Sequence, residues 1–213
     1  MSDCILRQHL LATARAMNSQ GLNQGTSGNV SVRSGEGFLI TPSALAYDQC
    51  TPDDLVWVDW AGQPQGVRRP SSEWRMHRDI YQHYSEAGSV LHAHSLYCTT
   101  LACLERSIPA FHYMVAMAGG DSIRCAPYAT FGTQALSDAV INALRDRCAA
   151  LLGHHGMICF AAGFDQVLAL AVEVETLARI YLQALSVAEP PVLPAAEMAE
   201  VLRRFKGYKS QDI

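Results

Sequence analysis

Two histidines separated by one residue, His92 and His94, stand in the segment Ser89-Val-Leu-His-Ala-His-Ser95, and another pair, His154 and His155, follows in Leu151-Leu-Gly-His-His-Gly-Met-Ile158. Val90 and Leu91 lead directly into His92, so the first pair reads as the end of a buried strand. Residues i and i+2 of a strand point to one face, and both imidazoles can then approach a single ion from one side. The second pair precedes the apolar run Met157-Ile-Cys-Phe160, which also reads as a strand. Adjacent strand residues face opposite ways, so only one of His154 and His155 is expected to join the first pair, and spacing does not choose between them. Three neutral imidazoles leave an open position on a metal ion, the arrangement a catalytic zinc requires. Glu73 could fill that position or act as a base.

Other segments offer anion-binding chemistry. Gly25-Thr-Ser-Gly-Asn-Val30 places two glycines where backbone N–H groups can line a concave turn, with Thr26, Ser27 and Asn29 adding side-chain donors. It lacks the Gly-Lys-Ser/Thr of a Walker loop, and it reads equally as a plain entry turn to a strand. Pro70-Ser-Ser-Glu73 opens a helix with Ser71 or Ser72 as N-cap, and a helix N-terminus also favours an anion. Glu73, on the first turn, reads either as a carboxylate matched to the helix dipole or as an acid/base beside a metal. Tyr113, in Ala110-Phe-His-Tyr-Met-Val115, could supply a phenolic proton or be a packed strand aromatic, and His112 reads as structural.

The elements that must hold these residues alternate in pattern. Ile5 to Met17 has helical spacing and stops before Gly21. Val30–Val32, Gly37–Thr41 and Leu55–Val58 are short strands joined by tight turns, which predicts antiparallel pairing. The Ser71/Ser72 helix runs to about Tyr84, Leu96 to Leu104 is a short helix, and a turn-rich stretch carries Ile108-Pro109, Gly119-Gly120 and Ala126-Pro127. Thr133 caps a helix to about Leu144, and Cys148–Leu152 and Met157–Phe160 are strands flanking His155. Val167 to Leu185 is so uniformly apolar that burial on all sides is expected, with a second subunit as one cover. A last amphipathic helix covers about Ala195 to Phe205. The fold class is α/β, with a mainly antiparallel sheet and helices outside it.

Composition excludes other classes. The formal net charge is −4, so no global field attracts nucleic acid or an anionic membrane. Seven scattered cysteines without a C-x-x-C fit a reduced, cytoplasmic protein that uses thiols as small core residues, a thiol nucleophile being the minor alternative. Polar residues interrupt the N-terminal apolar stretch, so no signal peptide is expected, and no segment is apolar enough to span a membrane.

Jointly, the segments Gly25-Thr-Ser-Gly-Asn29, Thr41-Pro-Ser43, Ser71-Ser-Glu73, His92-Ala-His94, His112-Tyr-Met114, Cys125-Ala-Pro-Tyr-Ala-Thr-Phe-Gly132 and His155-Gly156 resemble a class II aldolase of the fuculose-phosphate type, within the wider aldolase, epimerase and adducin-head superfamily. The resemblance covers about Ile5 to Tyr208 and treats residues 1–213 as one domain. It implies a three-layer α/β/α sandwich, assembled as a C4 homotetramer with sites at subunit interfaces. It assigns His92, His94 and His155 as ligands of Zn²⁺, with Co²⁺, Mn²⁺ or Fe²⁺ as alternatives. It makes Glu73 the acid/base, and Tyr113 a proton donor reaching the neighbouring subunit's site. Gly28, Asn29, Ser43, Ser71 and Ser72 would clamp a phosphate, with Thr26 close by, and Phe131 and Tyr208 would line the aldehyde end.

The implied reaction is retro-aldol cleavage of a ketose 1-phosphate to dihydroxyacetone phosphate and an aldehyde. No lysine near these motifs could form a Schiff base, so a divalent metal must stabilise the charge of the enediolate. L-Fuculose 1-phosphate, 5-deoxyribulose 1-phosphate and 5-methylthioribulose 1-phosphate are all candidate substrates, the last linking the chain to methionine salvage. The rivals are a sugar-phosphate 4-epimerase of the same superfamily and a non-catalytic binding protein like an adducin head.

Overall fold

The computed structural model describes residues 3–209, with Lys206, Tyr208 and Lys209 described in backbone alone. Eight strands form one sheet: β1 (Asn29–Ser34), β2 (Gly37–Ile40), β3 (Val56–Asp59), β4 (Pro64–Gln65), β5 (Ser89–Ala93), β6 (Arg124–Ala126), β7 (Ala149–Leu152) and β8 (Gly156–Ala161). Their order is β4-β3-β2-β1-β5-β8-β7-β6. Every neighbouring pair is antiparallel except β6 and β7. The helices are α1 (Asp3–Ser19), α2 (Trp74–His83), α3 (Leu96–Cys103), α4 (Gln134–Ala143), α5 (Phe164–Leu185) and α6 (Ala195–Lys209).

Two hydrophobic cores, one on each face of the sheet, make the three layers. One joins α1, α3, α5 and α6 to the sheet through residues such as Leu10, Leu101, Val174 and Met198. The other joins α2 and α4 through Met76, Ile80, Leu136 and Val140. Strand alternation sorts side chains between them. In β5, Leu91 and Ala93 face the α5 layer while Val90 faces the α2 layer, so His92 shares the side of α2. In β1, Val30 and Val32 face α5, which leaves Asn29 and Ser31 on the α2 side.

The structure departs from the sequence expectations in four places. Part of the turn-rich stretch is a strand, β6, which pairs in parallel with β7 across α4, so one βαβ crossover closes an otherwise antiparallel sheet. Leu55 ends a 3-10 turn, Pro52–Asp54, and the strand begins one residue later. Helix α2 begins at Trp74, and Glu73 rather than a serine is its N-cap. Pro70 bridges to Pro42, and the Ser71 amide donates to Thr41 O at 3.1 Å, so the chain is still held extended at the serines. Helix α5 is also not buried all round. Val167, Leu170, Ala171, Val174, Leu177, Ala178 and Tyr181 form one buried stripe, while the face carrying Asp165, Val172, Thr176, Arg179, Ile180 and Gln183 is exposed.

Candidate active site

His92 is the penultimate residue of the fully buried strand β5 and His94 lies just beyond its last residue, Ala93, so strand alternation turns both rings toward the α2 layer. His155 arrives from the turn between β7 and β8. The three rings meet edge to face, with centroids 4.7–4.9 Å apart. Glu73 completes the group, and one ligand atom from each of the four lies within 4.8 Å of the others. Glu73 Oε2 is 3.3 Å from His92 Nε2, and Glu73 Oε1 is 3.2 Å from His155 Nε2.

The donor chemistry of this group is that of a cation site. His92 Nδ1 lies 2.8 Å from Met157 O, and a ring nitrogen beside a carbonyl must carry the proton. Nε2 is then the ring's ligand atom, and it faces His94 Nε2 at 3.0 Å and the Glu73 carboxylate. Glu73 Oε1 is buried and accepts no hydrogen bond. Lone pairs converging on one point in a buried place are unfavourable by themselves and favourable around a divalent cation. Burial raises the Glu73 pKa, but the neighbouring His92 and His155 outweigh it and hold the carboxyl well below its ordinary range. Burial first, then His92 and His155, lower the His94 pKa to about 4, so its ring is neutral and able to ligate.

His154 does not take part in this cluster. It lies in the turn rather than on a strand, in the left-handed region at φ 54°. Its half-exposed ring sits edge-on to Tyr128 and its Nε2 is 3.6 Å from Glu105. The geometry of the turn, not strand alternation, separates it from His155, and both histidines line the same cavity instead of opposite sides.

That cavity, of about 320 Å³, is lined by Thr26, Gly28, Asn29, Ser43, Ser71, Ser72, Glu73, His94, Phe131 and His155, with Ser27, Pro42, Ala44, Tyr128, Ala129 and His154. Among the described residues its lining contains neither lysine nor arginine, so an anion there would be held by hydroxyls, amides and imidazoles. Ser71 accepts from the Glu73 amide at 3.3 Å, which aims the turn before α2. Gly28 is required by its surroundings. Its φ is +74°, and an added Cβ would fall 2.7 Å from His92 O and collide with the Asn23 side chain. The outer wall is tied down as well, since Arg75 Nη1 donates to Gly132 O at 2.9 Å beside Phe131.

Tyr113 does not line this cavity. It begins a 3-10 helix, Tyr113–Ala118, instead of lying in a strand, stacks on His112 and is 50% exposed. His112 is structural, its Nδ1 accepting from the Met114 amide. The backbone at Tyr208 belongs to α6, but its side chain lies outside the described residues.

Several residues that shape the site do not stand out in the sequence. Asn23 Oδ1 accepts from the His94 amide at 3.0 Å. Tyr47, whose pKa burial raises to about 12, donates to Gly28 O. Glu175 of α5 accepts from Ser95 Oγ and from the Tyr97 and Cys98 amides at 2.6–2.9 Å, so it caps α3 directly after His94. His77 is fully buried behind Asn29, and its signal is the helical spacing of four residues from Glu73.

Residues 8–182 match the family model described as Class II Aldolase and Adducin N-terminal domain, and the chain belongs to that family. Within it the chain is an enzyme, an aldolase of the lyase class. It is 52% identical over 203 residues to the 5-methylthioribulose-1-phosphate/5-deoxyribulose-1-phosphate aldolase of Rhodospirillum rubrum, covering 95% of this chain and 92% of that one. It is 48% identical over 204 residues to the L-fuculose phosphate aldolase of Escherichia coli K12, covering 95% of each. A solved L-fuculose 1-phosphate aldolase superposes with a TM-score of 0.92 at 38% identity, covering 97% of each chain.

Proposed function

We propose that this aldolase cleaves a ketose 1-phosphate to dihydroxyacetone phosphate and an aldehyde, using one divalent cation held by His92, His94 and His155. The observation that carries the reading is the cluster itself: four ligand atoms within 4.8 Å, from two buried and two partly buried side chains, at the end of a cavity rich in neutral anion donors. Bound there, the cation supplies Lewis-acid stabilisation of the negative charge that develops on substrate oxygen when the C–C bond breaks. Three imidazoles favour Zn²⁺.

The chain's own residues do the rest. Ser71, Ser72, Thr26, Ser43, Asn29 and the Gly28 amide orient the phosphate through hydrogen bonds, so a large share of substrate binding lies away from the reacting carbons. Glu73, at the end of the cavity, delivers and removes the proton on the reacting carbon. Phe131 lines the aldehyde end, joined by Tyr208. Tyr113 lies off its own subunit's cavity and half-exposed, which supports its handling the aldehyde hydroxyl proton in a neighbouring site of a homotetramer. The scattered cysteines without a C-x-x-C favour the cytoplasm, and the match to a methylthioribulose-phosphate aldolase favours a place in methionine salvage.

The test is a panel of ketose 1-phosphates, including the fuculose, 5-deoxyribulose and 5-methylthioribulose esters, assayed for dihydroxyacetone phosphate before and after chelation. Cleavage of at least one ester, lost on chelation and restored by Zn²⁺, is expected. Equal turnover of the unphosphorylated ketoses would refute the phosphate-clamp assignment, and chelator-resistant turnover would refute the metal.

A further inference from the structure

A column of buried polar groups runs away from Glu73 between β1 and α2. Asn29 Nδ2 donates to Glu73 Oε2 at 2.9 Å, and Asn29 Oδ1 is 2.6 Å from His77 Nε2. On the far side of the ring, His77 Nδ1 is 2.7 Å from Ser31 Oγ, which is 2.8 Å from the Tyr81 hydroxyl. Asn29, Ser31, His77 and Tyr81 are each no more than 3% exposed, so solvent cannot substitute for a missing partner.

Only one arrangement of protons satisfies this column. A carboxylate accepts and never donates, so the Asn29 amide must turn its NH₂ toward Glu73 and its oxygen toward His77. That oxygen requires a proton on His77 Nε2. The ring, deeply buried and therefore neutral, is then bare at Nδ1 and takes the Ser31 hydroxyl proton, and Ser31 Oγ accepts from Tyr81. Flipping the amide would set Asn29 oxygen against carboxylate oxygen and amide N–H against ring N–H.

We infer that His77 is a positioning residue for the reaction: through Asn29 it fixes the angle and place of the Glu73 carboxylate. The kinetic part of this inference rests on Glu73 being the acid/base. Without the Nε2 proton, Asn29 is free to rotate, and Glu73 loses the fixed Asn29 N–H that orients it. Asn29 also lines the cavity, so the same amide joins the substrate chamber to the buried column.

Two measurements test it. In metal-free protein carrying ¹⁵N-histidine, the ring correlations of His77 should show the neutral tautomer protonated at Nε2. A proton on Nδ1, or a cationic ring at neutral pH, would overturn the assignment whatever the enzyme's activity. In kinetics, His77→Leu should lower kcat on the order of 10²-fold, the cost of misplacing a reacting group, while KM for the ketose phosphate, which Asn29 helps to hold among several other donors, rises by a smaller factor. His77→Gln, whose amide N–H can reach Asn29 Oδ1, should recover most of kcat. Equal loss in both variants, or unchanged kcat in a folded His77→Leu protein, would refute the positioning role. If His77→Leu fails to fold, the tautomer and the His77→Gln rate against wild type still decide. A wild-type protein that cleaves no ketose 1-phosphate would refute the proposed substrate and leave the tautomer result standing.

Discussion

At the floor of the cavity Asn29, Ser71 and Glu73, with His92 packed against Glu73, are each at most 7% exposed, whereas at its mouth Tyr128 and Phe131 are 59% and 64% exposed. The floor is built from strand ends and a helix start. β1 supplies Asn29, β5 supplies His92, and the turn into α2 supplies Glu73, so the sheet register fixes their spacing. Asn29 is directly opposite His92 in the β1–β5 pairing. The mouth is built from loops: residues 26–28, 43–44 and 127–131. Chemistry that tolerates little displacement sits on the rigid part, and groups that must admit and release substrate sit on the loops.

The comparison is broken most severely at the floor. His94→Ala should lose bound metal and essentially all turnover together, read by metal analysis and the dihydroxyacetone phosphate assay. Glu73→Gln should instead keep the metal and lose turnover by ~10²–10⁴-fold. A Glu73→Gln enzyme of normal rate would reduce this carboxylate to a helix-terminus charge and leave the floor without its acid/base.

A second break lies in the support of the floor. Glu175, on α5 in the same helix layer, satisfies two α3 amides and the Ser95 hydroxyl. Glu175→Ala leaves those donors without their charged acceptor, a loss of roughly 2–4 kcal/mol in denaturant unfolding. Because α3 starts immediately after His94, metal affinity should fall with it. A variant of unchanged stability would show that water replaces the cap.

The same contrast explains what was legible in the sequence. His92, His94 and the strand around them follow from period-two patterning, since alternation determines the face. Glu73 was visible as a residue, but its position as N-cap depended on the bridge between Pro42 and Pro70, a contact distant in sequence. β6 was hidden because Arg124–Ala126 is too short for any periodicity, and its partner β7 lies on the far side of α4. His77, Asn23 and Glu175 act through other residues, and a single buried polar residue in a helix or loop has no pattern of its own. The exposed face of α5 reads as core because Val172 and Ile180 resemble core residues whichever way they point.

Acid should weaken the floor before the mouth. Burial holds the His77 pKa down to about 3, and burial with the neighbouring histidines holds His94 to about 4, while both titrate near 6.5 when unfolded. Below 6.5 the unfolded chain binds protons that the folded chain refuses, so the stability of metal-free protein falls as pH drops through this range and recovers as pH rises. The slope of unfolding free energy against pH between about 4 and 6.5 measures it. His77→Gln should reduce that slope by about one proton. An unchanged slope would mean that the buried ring is charged in the folded state.

The smallest effect is expected at His154, although it is the immediate neighbour of a proposed metal ligand and lines the cavity. Its side chain is 52% exposed, its contact with Glu105 spans 3.6 Å, and the carboxylate there is itself 59% exposed. An ion contact so open to water contributes little, typically ~0–1 kcal/mol. The backbone does more at this position: the His154 amide donates to Ala102 O at 3.0 Å, and the left-handed φ shapes the turn that presents His155. His154→Asn keeps that amide and tolerates that φ, so it should retain metal and a kcat within about 3-fold of wild type. His154→Val, which resists a positive φ, should be the more damaging substitution despite removing the same imidazole. If the two variants were equally impaired, the imidazole itself would be part of the chemistry, and the division between a catalytic floor and an adjustable mouth would have to be redrawn at this residue.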